Sequence, residues 1–80
     1  MKVNYIKNID KFFDVVKKCA SEVYITSIDG TKIALNSSIG RFVTKAIFNN
    51  DKDREVIGDF EIETSNMDDL AIIVNFLTNQ

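Results

Sequence analysis

The twenty residues from Val23 to Phe42 constrain this chain more than any other stretch. Val23 to Ile28 is rich in β-branched and aromatic residues and reads as a strand. Asp29-Gly30 follows, a two-residue signal for a type I′ turn, which needs positive φ at both central positions. Thr31 to Leu35 then returns as the partner strand. Asn36, Ser37 and Ser38 are all good helix N-caps, and Ile39, Phe42, Val43 and Ala46 recur at i, i+3, i+4 and i+7, the spacing of one buried helical face. Gly40 inside that first turn costs about 1 kcal/mol relative to alanine, which points to close backbone approach. A hairpin that runs straight into a capped helix predicts a sheet with a helix laid against it.

The flanking segments supply the rest of the pattern. Residues 3–6 alternate well enough for a short first strand. Asn8 then caps a helix starting near Ile9, with Asp10 in the first turn, where the helix dipole favours an anion. Ile9, Phe12, Phe13, Val16 and Ala20 form its apolar stripe, with Lys11, Asp14 and Lys18 opposite. Residues 49–55 form a polar, charge-mixed loop. Val56 to Glu63 reads as a strand with Phe60 and Ile62 inward and Asp59, Glu61 and Glu63 outward. Ser65 or Asn66 caps a last helix that has Asp68 and Asp69 in its first turn. Met67, Leu70, Ala71, Val74 and Leu77 are expected to be its buried stripe.

The order is βαββαβα in a single domain over residues 1–80. One polar face per strand predicts an α+β fold with a four-stranded antiparallel sheet covered on one side by helices. Ferredoxin-like domains share much of this order, so pattern alone leaves the topology open. Phe13 and Phe42, central in their stripes, are expected to meet in one core.

Charge and composition exclude several function classes. Residues 1–50 carry eight Lys and Arg against four Asp and Glu, whereas residues 51–80 carry two against eight, for a net charge of −2. An acidic chain without a clustered Lys/Arg run is a poor nucleic-acid binder, because phosphate contacts dominate that affinity. The longest apolar run, Leu70 to Val74, falls far short of the roughly 20 residues a membrane span needs. No signal peptide is apparent, and one cysteine excludes an internal disulfide or a cysteine-rich zinc site. A cytoplasmic protein with no membrane partner is expected.

With its hairpin-to-helix stretch and the strand–helix patterns on either side, the chain resembles the HPr family, the small histidine phosphocarriers of the bacterial sugar phosphotransferase system. The resemblance extends over nearly the whole chain and is best over residues 23–48. It implies an open-faced β-sandwich with three helices on one face of the sheet. Laid on the family pattern by Val15, Val16 and Cys19, the first helix places Asn8 at the phosphorylated histidine and Asp10 at the arginine two positions on. This chain contains no histidine. An amide cannot take up phosphoryl as an imidazole does, and a carboxylate would repel the incoming group, so Asn8 reads as a plain cap and no catalytic residue is assigned.

Asn36-Ser37-Ser38-Ile39-Gly40 matches the spacing of the family's regulatory serine motif, which puts Ser37 at the modifiable position. A phosphate there would face unpaired helix N–H groups, with Arg41 four residues on. Ser38 and Arg41 stand where the family usually has apolar residues. The resemblance implies a docking face formed by the starts of the first two helices, here Asn8, Asp10, Ser38, Ile39, Arg41 and Phe42, toward proteins of the phosphotransferase or carbon-regulation network.

The remaining reactive residues read as structural. Cys19 reads as a small buried hydrophobe, with no histidine to activate it. Tyr5 and Tyr24 cover one sheet face and, if both point outward, could belong to a partner surface. Asp59, Glu61, Glu63, Asp68 and Asp69 are explained by strand alternation and helix-start bias, without a metal. No cofactor is called for. The expected role is a non-catalytic regulatory or interaction module. The competing reading passes phosphoryl through Ser37, Ser38 or Asp10, although no base stands beside the serines and Asp10 has no cationic partner nearby in sequence. A third is an interaction domain unrelated to sugar transport.

Overall fold

Each of the three helices starts on a side-chain oxygen that caps it. In a computed structural model describing residues 1–48 and 55–80, Asn8 Oδ1 accepts from Lys11 N (3.1 Å). Ser37 Oγ accepts from Gly40 N (2.9 Å), and Asn66 Oδ1 accepts from Asp68 N and Asp69 N (2.8 and 3.1 Å). The elements are β1 (Lys2–Ile6), α1 (Ile9–Lys17), β2 (Val23–Ser27), β3 (Lys32–Ala34), α2 (Ser38–Phe48), β4 (Val56–Thr64) and α3 (Met67–Thr78). The expected order is therefore observed, as an α+β fold with a four-stranded antiparallel sheet and three helices. The loop expected over residues 49–55 lies, apart from Glu55, outside the described residues.

The sheet order is β1-β4-β2-β3, with every neighbouring pair antiparallel. It follows that β1 and β2 run parallel with β4 between them, and that β3 and β4 run parallel with β2 between them. Ile25 lies opposite both Ile33 and Ile62, and all three are buried. These residues join Phe12, Phe13 and Val16 of α1, Phe48 of α2 and Ile73 of α3 in one core cluster, so the helices cover one face. The other face carries Tyr24 opposite Glu63 and Thr26 opposite Glu61. The β1–β4 register shifts between Val3 and Tyr5, which lets Val3 and Ile6, three residues apart, both reach the core.

Several expectations are corrected. The hairpin uses a three-residue loop, not a two-residue turn: Gly30 N bonds Ser27 O (3.0 Å), Ser27 N bonds Thr31 O (2.9 Å), and Gly30 sits at φ 92°. The Asp29 carboxylate accepts from the Ser27 hydroxyl and from Thr31 N (3.0 Å), which lowers its pKa to about 2. Helix α1 ends at Lys17, and Ala20 is exposed beyond it.

Helix α2 is turned about its axis relative to the expected stripe. Gly40, Thr44 and Phe48 face inward, while Phe42 is 73% exposed and Ile39 76%. Thr44 tolerates full burial because its hydroxyl bonds Gly40 O at 2.8 Å. In α3 the buried positions are Asp69 and Ile73, with Phe76 and Leu77 partly buried; Met67, Ala71 and Val74 are exposed. Phe13 thus meets Phe12 rather than Phe42, Phe12 meets Phe76, and Phe48 packs on Phe60 at 5.4 Å between ring centroids.

Asp69 sets the phase of α3. Its carboxylate accepts from Ala20 N (2.9 Å), Ser21 N (2.7 Å) and Ser21 Oγ (2.6 Å), and Ser21 Oγ also meets Thr64 Oγ1 (2.8 Å). This clasp pins the α1–β2 connection to the start of the last helix. The Ser21 hydroxyl, followed by the Ala20 N–H, holds the Asp69 pKa below its ordinary value despite burial. Burial, and then the charge of Asp69, raises the pKa of the half-buried Cys19 thiol.

Two predictions follow from this packing. Phe13 is 5% exposed, so Phe13→Ala should cost about 3–5 kcal/mol in chemical denaturation, whereas Phe42→Ala should stay within about 0.5 kcal/mol. The second concerns acid. A carboxyl with a lowered folded pKa stabilises the fold above its unfolded pKa and loses that contribution as pH falls through the folded value. Melting temperature should therefore decline below about pH 4, and Asp69→Asn should melt lower at neutral pH with a flatter acid limb. An acid limb unchanged by Asp69→Asn would assign the decline to other carboxyls, Asp29 among them.

Candidate functional site

The start of α2 is built by a corner that leaves little freedom. Leu35 N bonds Val23 O (2.8 Å), and Asn36 Oδ1 accepts from Val23 N (2.6 Å) while its amide nitrogen donates to Ser21 O (3.4 Å). The β3–α2 corner is thereby fixed to the beginning of β2. Ser37 then caps α2 through Gly40 N, and Arg41 N closes the first helical turn on Ser37 O (3.0 Å). Of the three cap candidates, Ser37 takes the role.

Gly40 decides which way this turn faces. A Cβ placed there would stand 1.8 Å from the carbonyl oxygen of Ala34, so only glycine lets the helix lie this close to the end of β3. With Gly40 pressed inward, Ser37, Ser38, Ile39 and Phe42 face solvent. The Arg41 guanidinium folds back, and Nη1 donates to Leu35 O at 3.1 Å, over the corner that holds Ser37. The result is an exposed apolar pair, Ile39 and Phe42, beside two serines and a half-buried cation.

Five of the predicted residues lie within five positions of Ser37 at the start of α2: Ser37 itself, Ser38, Ile39, Arg41 and Phe42. Asp10 joins the same helix farther along, through a 3.0 Å ion pair with Lys45. The cationic partner that sequence proximity did not supply comes from α2. This pair is about half exposed on both sides, a setting in which such contacts add at most ~1 kcal/mol. Asn8 is engaged as the cap of α1. Lys45 escaped the sequence reading because a contact 35 residues apart leaves no local signal.

Tyr5 and Tyr24 lie on the open sheet face, half-exposed and held by their own neighbours. Tyr5 donates to Glu55 (2.7 Å) and Tyr24 to Glu22, bonds that raise both phenol pKa values, and Lys32 Nζ sits 4.6 Å from the Tyr24 ring centre. A depression of about 550 Å³ at the hairpin end of this face is lined by Lys2, Asn4, Thr26, Ile28, Asp59 and Glu61 among others, and by none of the predicted site residues. Among the described residues no group of three His, Cys, Asp or Glu is placed to hold a metal ion, and no helix is long and apolar enough to cross a membrane.

The chain matches no family model, no curated protein and no solved structure. The geometry of the α2 start therefore stands on its own physics. It offers a shallow apolar contact with an adjacent hydroxyl at a helix N-terminus, and Ser37 Oγ is bonded to backbone groups rather than to a base.

Gly40→Ala tests the corner. Alanine favours a helix interior, but its methyl would meet a backbone oxygen that cannot move away alone. Net destabilisation of about 1–3 kcal/mol by urea unfolding is expected, where an unconstrained helix would gain roughly 1 kcal/mol.

Proposed function

We propose that this chain is a non-catalytic, HPr-like interaction module whose docking contact is the start of α2. The observation that carries the reading is the outward placement of Ile39 and Phe42, neighbours on one turn, beside Arg41 and the capping Ser37. Aromatic and aliphatic anchors framed by a cation and hydroxyls have the make-up of a small protein-binding patch. The HPr resemblance adds the partner class: cytoplasmic proteins of the phosphotransferase or carbon-regulation network. The α+β architecture that the resemblance implies, a four-stranded antiparallel sheet with three helices, is the one this chain adopts, which supports the reading.

Phosphoryl carriage is disfavoured by chemistry. The chain has no imidazole, Asn8 spends its side-chain oxygen on Lys11 N, and Asp10 is held by Lys45. A second reading, modification at Ser37, is favoured by the hydroxyl's position at the helix start. A phosphate there would meet the first-turn N–H groups and the Arg41 guanidinium close by. If neither reading holds, the chain is an interaction domain outside sugar transport.

The deciding experiment is intact-mass measurement in two reactions. With phosphoenolpyruvate and the general phosphotransferase enzyme, no adduct is expected; a stoichiometric phosphate would overturn the non-catalytic reading. With the HPr kinase of the same organism, a single phosphate mapping to Ser37 rather than Ser38 is expected if the regulatory half survives. No incorporation would leave Ser37 as a cap and favour the interaction domain outside sugar transport.

A further inference from the structure

Strand β1 is an edge, and its outer side is arranged unlike an ordinary edge. Met1 and Ile62 exchange both backbone hydrogen bonds, at 3.1 and 2.9 Å. In an antiparallel ladder the next residue turns its peptide groups the other way, so Lys2 presents its N–H and C=O outward. Farther along, Tyr5 O accepts from Gln80 Nε2 and Lys7 N donates to Gln80 Oε1, both at 2.9 Å. Those two bonds, to the residues on either side of Ile6, are the pattern made by a residue of a parallel neighbouring strand. The Gln80 carboxamide occupies one position of a fifth strand. A groove of about 340 Å³ runs beside this edge, with Met1, Val3, Tyr5, Val74, Leu77 and Gln80 in its walls.

We propose that the outer edge of β1 and this groove form a strand-addition site for an extended peptide alternating acidic and apolar residues, a site that Gln80 holds closed in the free protein. Adding a strand to an open edge gains main-chain hydrogen bonds, and alternate side chains supply selectivity. The partner's chemistry is read from what β1 already accepts. On its inner side it pairs with β4, acidic on one face and apolar on the other, with Glu61 opposite Lys2. Lys2 and Lys7 are exposed, and on an added strand their cross-strand positions call for carboxylates, while Val74 and Leu77 offer an apolar wall. A second copy of this chain fits poorly. Antiparallel pairing of two β1 strands centred between Asn4 and Tyr5 sets Lys2 against Lys7 at both ends, and like charges directly opposite destabilise a sheet.

The test is an NMR titration of the isotope-labelled full chain, and of Gln80→Ala, with a synthetic peptide of the sequence of residues 56–64. Saturable shifts are expected at residues 2–7 and 74–80, with binding roughly fivefold tighter to Gln80→Ala because the competing amide is gone. The same peptide carrying Asp59→Lys, Glu61→Lys and Glu63→Lys should bind roughly tenfold more weakly. Equal affinity for both peptides, or no saturable shift at residues 2–7 in either protein, would overturn the proposal. So would shifts confined to the Ile39 and Phe42 face, or peptide-free dimerisation of Gln80→Ala in sedimentation, which would give the edge to a second copy.

Discussion

Everything in this fold waits on β4. It is the longest strand, nine residues, and it lies between β1 and β2, which run parallel and share no bonds with each other. Without β4, the first strand has no partner strand among the described residues, and α1 has no complete sheet beneath it. The β2–β3 hairpin and the helix after it can assemble from local contacts, but β1 must be joined by a strand fifty or more residues away in sequence. Closing so long a loop costs chain entropy before any contact rewards it. The Met1–Ile62 bonds and the Asp69 clasp sit where that closure is completed, one at the end of β1 and one where β4 hands over to α3.

Two polar or small residues, rather than the large apolar ones, orient the last two helices. Gly40 lets α2 sink onto the Ala34 carbonyl, which brings Thr44 and Phe48 inward and turns Ile39 and Phe42 out. Asp69 binds the α1–β2 connection, which brings Ile73 inward and leaves Met67 and Val74 exposed. In both cases a geometric or hydrogen-bonding requirement outweighs the apolar stripe. Burying another methylene group gains about 0.8 kcal/mol, whereas an unmade buried hydrogen bond or a steric clash costs more.

This explains what could be read from the chain and what could not. The alternation of Phe60 and Ile62 against Asp59, Glu61 and Glu63 fixes the faces of β4, because a period of two admits no other solution. Gly30 marks the hairpin, although loop length follows hydrogen bonds that no dipeptide specifies. Asn8 and Asn66 announce their helices, and Gly40 announces a close approach but not its partner. Strand order was illegible: nothing local in residues 3–6 selects β4 over β2. The phase of α3 was hidden because Leu70 to Val74 are all apolar and any rotation buries some of them. At the α2 start, the cap could be read from Ser37, but Phe42 served both as expected core and as expected docking residue, and only the depth of Gly40 separates the two.

The same corner accounts for why large apolar side chains end in water here. A bulkier residue at position 40 would lift α2 from β3 and give Ile39 and Phe42 room to rotate inward, yet the Asn36 bonds to Val23 and Ser21 hold the corner too short for that. Single exposed hydrophobes are ordinary on a protein surface, and stability alone does not forbid them. What is unusual is the inversion over the first two turns of α2, where glycine and threonine are the buried positions and isoleucine and phenylalanine face solvent. Because position 40 is closed to any side chain by the Ala34 carbonyl and Ile39 and Phe42 already face solvent, replacing Phe42 or Ile39 with polar residues would leave the core untouched. Contact chemistry at this surface can therefore change independently of the fold.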